Sequence, residues 1–522
     1  MHRRTLLAAA AATLAAPAIR AQPAKTLRFV PYVDLAILDP VANTASQTRT
    51  HAFLVYETLY GLDADYNPHP QMLAGHTTSP DGLLWALTLR PGLRFHDGTQ
   101  VLARDAVASI RRWGAIDSFG LTLMAATHEL DAPDDRTIRF RLKHPFPLLP
   151  DALGKISPHV CVIMPERLAS LAHTKPVPEV VGSGPFRFLE IERVPGARVV
   201  YERFSEYVPA PGPTGQTSGA KIVHLDRVEW LTMPEPATAM GALRAGEVDW
   251  IEAPPPDLLS SLRRDPAITV RINDTTGVVP ILRFNMLHPP FDNPAIRRAI
   301  LSAVHERDFM LAFSEDHTNW RDDVGCFCPG TPMATTAGLE TTIGTATIEA
   351  AAAAVRAAGY NNERIVVMGA TDHPVNSVTS TIGADLFKRL GMNVDFQAMD
   401  AGTMFQRRGN REALEKGGWS VFPSAVAGID VLNPAVSFLA RGNGREAWYG
   451  WPEDARLETL RQAWFDAPDR AAQQAVCEQI QRQTLGQAPY LPLGQILQPT
   501  AYRRSLTGLQ PGFAKFWGVQ KG

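Results

Sequence analysis

The run Leu27-Arg28-Phe29-Val30-Pro31-Tyr32 alternates apolar and polar positions and predicts a first strand, with a loop following over Asp34 to Pro40. Gln47 to Leu59 has helical spacing. Trp85 to Arg90 alternates again and ends at the turn Pro91-Gly92, Asp105 to Trp113 reads as a helix, and Asp134-Asp135 is a turn before the alternating strand Thr137 to Leu142. These elements predict a subdomain, residues 59–181, inserted into a first lobe.

Beyond it, Arg187 to Arg203 carries strand-like order, Pro209 to Gly219 is a Pro- and Gly-rich loop, and Met240 to Ala245 is helical with a turn and strand at Gly246 to Asp249. Pro294 opens a helix at a position that tolerates proline. Ala-rich Thr347 to Ala358, closed by Gly359, is a second strong helix. Asp385 to Leu390 followed by Gly391 repeats that logic, and Asn393 to Phe396 is the returning strand. Helices alternating with short strands predict an α/β fold, and no internal repeat is visible.

The amino end changes the picture of where the chain works. His2-Arg3-Arg4 precedes the apolar run Leu6 to Ala16, and small residues lead to Ala21-Gln22, the order of a secretory leader over residues 1–21. The adjacent arginines leave Sec and twin-arginine (Tat) export both open. A membrane anchor needs about 20 apolar residues, and Arg20 and Lys25 interrupt this run too early. The expected location is the periplasm, as a soluble exported protein.

With 522 residues the chain exceeds the roughly 250 to 300 at which single cores stop growing, so at least two lobes are expected. A net charge of -2 offers no basic footprint and argues against a nucleic-acid partner. Cys161, Cys326, Cys328 and Cys477 are too few for a disulfide framework, although an oxidising compartment leaves a bridge open beside plain buried thiols. The Cys326-Phe327-Cys328 spacing is too tight for an ordinary zinc pair, and the 14 His are scattered; we expect no metal and no cofactor. A nucleophile elbow, a His-Glu-x-x-His site, a phosphate-cradling loop and a dinucleotide fingerprint are all missing from the sequence, so no enzymatic activity and no catalytic residues are expected.

Three motifs in order along the chain carry a resemblance: Phe95-His96-Asp97-Gly98, Gly182-Ser183-Gly184-Pro185-Phe186, and Pro289-Pro290-Phe291-Asp292-Asn293-Pro294 with its helix to Ile300. With Leu38-Asp39-Pro40, Tyr56 to Leu59 and Gly241 to Asp249, the chain from about Leu27 onward resembles the family 5 solute-binding proteins, periplasmic receptors that hand peptides, nickel complexes and other solutes to ABC importers. The resemblance implies an α/β, two-lobed periplasmic binding protein of type II and the large three-subdomain class, with mixed sheets and a hinge. Lobe I would comprise residues 25–58, 182–280 and 491–522, and lobe II residues 281–490. Crossings near Val279-Pro280 and Pro489 to Pro492 are the hinge candidates. Gly182 and Gly184 are read as permitting positive backbone angles.

The resemblance also places a solute cleft between the lobes, and the candidate ligand-binding residues are Tyr32, Asp34, Asn43, Arg283, Asn285, Trp419, Phe422 and Asp430. Trp419 offers an apolar wall with one N–H donor, Asn285 offers donors and acceptors, and Arg283 could pair a carboxylate bidentately. Peptide-binding members carry an Asp shortly after this Trp, available to the peptide ammonium; here Ser420 to Ala425 contains no acid, and Asp430 is the candidate replacement. The expected partners are a small-molecule or peptide ligand and an ABC permease in the inner membrane, met by a monomer. A secreted hydrolase, or a chaperone or sensor on the same fold, are the alternatives.

Overall fold

A computed structural model describes residues 25–522; the predicted leader lies outside the described residues. Two seven-stranded sheets organise the chain. The first runs in the order Phe186–Phe188, Arg198–Arg203, Arg227–Leu231, Thr26–Val30, Trp250–Ile251, Pro499–Arg503, Ile268–Ile272. Its central strand, Thr26–Val30, is parallel to both neighbours. The alternation read in the sequence puts Leu27 and Phe29 fully inside, where Phe29 meets Trp230, Trp250 and Phe516 edge-on at 5.6, 4.9 and 5.2 Å.

The second sheet runs Trp320–Arg321, Gln495–Ile496, Val278–Phe284, Val421–Ala427, Arg364–Ala370, Asn393–Met399, and Tyr490–Pro492 also pairs with Val278–Phe284. Leu282 and Phe284 bury into a core with Phe291, Ile300 and Phe387, so the Pro289 to Ile300 motif serves as packing for this sheet. Pro294 is the first residue of the Pro294–Leu301 helix, whose N-cap Asn293 accepts from the Ala295 N–H. Thr347 caps the Ile348–Ala357 helix in the same way.

A separate four-stranded antiparallel sheet is ordered Leu73–Thr78, Leu84–Leu89, Thr137–Leu142, Thr127–Asp131, with the Ala103–Gly114 helix burying Ala106, Ile110 and Trp113. The helix expected over Gln47 to Leu59 is shorter, Ser46–Val55, and Glu57–Thr58 is extended. Glu57 is buried and accepts from Lys221 Nζ at 2.7 Å and from the Tyr207 hydroxyl, which ties it to residues far along the chain. A buried carboxylate with two fixed donors outweighs one more helical turn.

The two glycines of the Gly182-Ser183-Gly184 motif do not adopt positive φ. A Cβ at Gly182 would stand 2.0 Å from the Val55 carbonyl oxygen, and one at Gly184 would stand 2.6 Å from its carbon. Close backbone approach, sealed by the Gly184 N–H donating to Val55 O at 2.8 Å, is what excludes a side chain. Gly98 does have φ of 84°, in a tight turn over the buried Phe95.

The chain leaves the first sheet at Ile272 and enters the second at Val278; it returns between Ile496 and Pro499. Val279 and Pro280 are instead locked in register opposite Val426 and Ala425, and Leu491 and Pro492 opposite Leu282 and Ile281. All four cysteines are buried and free. Among the described residues no helix is long and apolar enough to cross a membrane.

Candidate functional site

A cavity of about 710 Å³ opens between the two sheets. Tyr32 follows the Thr26–Val30 strand and Glu252 follows Trp250–Ile251, so two parallel strands deliver residues to it from their carboxyl ends, where open α/β sheets leave a crevice. The crossing segment supplies Asn273, Asp274, Thr276 and Gly277, and the far wall comes from Ser424–Ala427, Asp430 and Trp448.

Three carboxylates gather on this lining. Glu252 Oε2 accepts from the Tyr32 N–H at 2.7 Å and Gln47 Nε2 at 3.1 Å, and burial raises its pKa. Asp274 Oδ1 accepts from the Thr276 N–H at 2.8 Å and hydroxyl at 2.6 Å. Asp430 has a sealed Oδ1 without a hydrogen-bond partner, and burial pushes its carboxyl up to about 6 against the pull of Arg49 and Lys155. Arg49 is 6% exposed, lies 4.7 Å over the Phe513 ring and has a buried Nε with no partner. Burial lowers its pKa while Asp274, Asp430 and Glu252 oppose that shift, so this one guanidinium feels all three acids.

A second cation stands apart from them on the other wall. Arg408 sits 4.8 Å from the Phe405 ring centre, 4.4 Å from that of Tyr449 and 5.8 Å from that of Trp448, with its Nε buried and unpartnered. Desolvation lowers its pKa, as it does that of His373 nearby on the lining. No carboxylate lies within salt-bridge distance of Arg49 or Arg408 among the described residues. The site therefore offers charge of both signs, with neither Arg49 nor Arg408 in a direct ion pair among the described residues, together with aromatic faces. Among the described residues no group of three or more His, Cys, Asp or Glu is placed to hold a metal ion.

Of the eight candidates read from the sequence, Tyr32 and Asp430 line the cavity. The other six lie behind its wall or beside it. Asp34 accepts from the Thr232 hydroxyl at 3.0 Å. Asn43 accepts from the Ala45 N–H at 2.7 Å and the Thr48 hydroxyl at 3.3 Å, ordering the start of the Ser46–Val55 helix. Asn285 bridges the backbone, donating to Trp419 O at 2.9 Å and accepting from the Leu287 N–H at 3.1 Å. Trp419 and Phe422 are fully buried and meet edge-on at 4.9 Å; Trp419 Nε1 donates to the Arg408 carbonyl at 3.1 Å. Arg283 is also fully buried, its Nε held by Tyr449 O at 2.7 Å and its guanidinium 5.5 Å from the Trp448 ring centre, with its pKa pushed down to about 9 by burial. These four are the layer that fixes Arg408 and Trp448.

Arg49, Glu252, Asp274, Arg408 and Trp448 escaped sequence reading. For Glu252 a signal exists: an acid immediately beyond a strand and before Ala253-Pro254 stands at a carboxyl end. Arg49 lies in a polar run, Gln47 to His51, that reads as solvated yet is wholly buried.

A profile of the bacterial extracellular solute-binding proteins, family 5 Middle, matches residues 67–444. A probable peptide ABC transporter periplasmic-binding protein, y4tO, of Sinorhizobium fredii is 35% identical over 98% of this chain and 97% of its own length. Among solved structures, the periplasmic binding protein AgaA of A. tumefaciens R10, in complex with agropinic acid, superposes with a TM-score of 0.77 at 21% identity, covering 95% of this chain and 99% of that one. DppA of Helicobacter pylori, in complex with the peptide STSA, gives a TM-score of 0.76 at 20% identity over 95% and 98%.

Proposed function

This chain belongs to the family 5 bacterial extracellular solute-binding proteins, and from that membership we propose that it is an exported receptor which captures a peptide or another small organic solute and hands it to the permease of an ABC importer. The observation that carries this reading is the cavity between the two sheets, lined from both sides and holding charged atoms that the protein itself does not pair. Such atoms are costly to bury alone, and a solute that pairs them makes the closed arrangement the favoured one.

Tyr32 and Asp430, with Arg49, Glu252, Arg408 and Trp448, are the residues we assign to solute contact. The aromatic rings give apolar faces and the ions give orientation. The relative y4tO points to peptides, and AgaA shows that this fold also takes an opine acid. Segments 273–277 and 497–498 are proposed as the hinge, since they alone join the two sheets without belonging to either. Working as a monomer in the periplasm, the protein would release its solute unchanged; its export would follow the Sec or twin-arginine route.

Native mass spectrometry of protein recovered from its own periplasm, followed by calorimetry with the identified compound, tests the reading. A bound small solute that raises the melting temperature by mass action is expected. Turnover of that solute by purified protein, or its binding outside the inter-sheet cavity, would refute it.

A further inference from the structure

We propose that the protein carries a clasp outside the solute cavity: Phe465 and Arg470 hold the helices beside the four-stranded sheet, part from them when the cleft opens, and so set solute affinity without touching the solute. This rests on the receptor reading above and adds to it a determinant of the balance between open and closed forms.

Two bodies meet at this seam. The four-stranded sheet is fixed to the first seven-stranded sheet, because Arg112 on the Ala103–Gly114 helix donates to both oxygens of Asp39 at 3.1 and 2.8 Å, a buried pair in the loop beyond Thr26–Val30. The Arg470–Gln487 helix is fixed to the second sheet: Leu485 shares the core of Leu282 and Phe284, and Arg297 donates to the Gln487 carbonyl at 2.7 Å. Gln483 donates to Asp454 at 2.7 Å and ties the preceding Ala455–Phe465 helix to the same body. The backbone joins the two sheets elsewhere, through segments 273–277 and 497–498.

What crosses the seam is side-chain contact. Phe465 stands 5.8 Å edge-on from Phe119 and 6.3 Å stacked on Phe146, centre to centre, and all three rings are buried. Arg470, the first residue of its helix, donates to Asn67 Oδ1 at 2.6 Å and to the Asp65 carbonyl at 3.3 Å. Ser118 Oγ donates to the Ala435 carbonyl at 3.0 Å. Arg461 donates to the adjacent Pro434 carbonyl at 3.2 Å, so this turn and the Phe465 helix move as one piece.

The seam is packed like a surface that separates and not like a permanent core. A void of about 60 Å³ lies against Phe119, with Asp151, Ser157, Trp464 and Arg470 on its lining. Ser157 Oγ and Trp464 Nε1 are sealed without a hydrogen-bond partner. Permanent interiors fill such gaps and pair such atoms, whereas a seam that parts returns them to water in the open form. Val436 lines both this void and the solute cavity, so the two open together. Contacts made only in the closed form raise its population, and apparent affinity scales with that population.

The first test needs no solute. In the full mature chain, Ser157→Cys puts a thiol on the void, and its labelling by N-ethylmaleimide at neutral pH is followed by peptide-resolved mass spectrometry, with buried native Cys326 as the gauge of unfolding. We expect the introduced thiol to label about tenfold or more faster than Cys326, as local opening requires. Adding Phe465→Ala should speed it by about tenfold, for the loss of two aromatic pairs, and adding Arg470→Ala by about threefold, with Cys326 unchanged in both. For the compound that native mass spectrometry identifies, Phe465→Ala alone should weaken binding by about tenfold, although Phe465 does not line the solute cavity.

Labelling of the introduced thiol in step with Cys326, equal acceleration of both thiols by Phe465→Ala, or unchanged affinity in that variant would make the seam permanent core and overturn the clasp, leaving the receptor reading intact. Turnover of the solute, or its binding outside the cavity, would instead remove the receptor reading whatever the labelling rates.

Discussion

His96 donates its ring Nε2–H to the Gly184 carbonyl at 3.0 Å, and its backbone N–H donates to the Gly182 carbonyl at 2.8 Å. Two sequence landmarks 88 residues apart are therefore one structural unit, since Gly184 in turn donates to Val55 at the end of the Ser46–Val55 helix. A carbonyl can only accept, so the proton belongs on Nε2. Nδ1 is buried with no partner, and burial brings the His96 pKa down to about 4.

The first prediction follows from that pKa. Because His96 in the folded state takes up its proton well below the ordinary value of 6.5, its contribution is present above that value and is lost as pH falls through about 4. The melting temperature should decline over that interval. His96→Gln, which keeps a donor for Gly184 and cannot titrate, should decline less; parallel melting curves against pH would refute the assignment.

Gly184→Ala places a methyl 2.6 Å from the Val55 carbonyl carbon. The backbone there cannot yield without breaking the Gly184 to Val55 hydrogen bond, so a loss of about 1–3 kcal/mol or more is expected from urea denaturation. A variant as stable as the parent would show the contact to be slack.

Gly277 lies in the crossing segment with φ of 52°, and a Cβ there would stand 2.2 Å from the Ile496 carbonyl oxygen. Gly277→Ala should strain the arrangement seen here and weaken solute binding while leaving each sheet's core intact. Calorimetry with the identified solute and small-angle scattering, with and without it, measure this; unchanged affinity and unchanged scattering would remove Gly277 from the hinge.

Glu306 is 5% exposed, accepts from the Val324 N–H at 2.9 Å through Oε2, and has an unpartnered Oε1. Burial, with Asp323 and Asp322 adding to it, pushes its carboxyl up to about 8. A raised folded-state pKa means that the stability is full below the unfolded value of about 4.3 and is lost as pH rises through about 8. Glu306→Gln should flatten the decline in melting temperature between about pH 4.5 and 8. An unaltered slope would place the ionisation elsewhere.

Arg263 donates to Asp316 at 2.8 Å between the helix before Ile268–Ile272 and the turn before Trp320–Arg321, on opposite sheets. Both side chains are substantially exposed, so Arg263→Ala should change solute affinity by less than about fivefold, within the 0–1 kcal/mol of surface pairs. A larger loss that persists in high salt would make this pair a true latch.

Much of the architecture was legible along the chain because it depends on neighbours in sequence. The alternation at Leu27 and Phe29, the caps at Asn293 and Thr347 and the turn at Gly98 are local physics, and the order of the landmark motifs pointed to the family. The site was less legible. Trp419, Asn285 and Arg283 are near it but face inward, and nothing in a side chain's chemistry tells which side of a wall it occupies.

From its sequence alone this protein's elements, its α/β class and its kinship were determined, because hydrophobic periodicity and turn chemistry act over a few residues. Only the tertiary structure decided that Arg49, Glu252, Asp274, Asp430 and Arg408 share one cavity, since their meeting is set by strand order and by the crossings between two sheets. It also decided why Gly182 and Gly184 are glycines: not for their own dihedral freedom but because Val55 arrives from elsewhere in the chain.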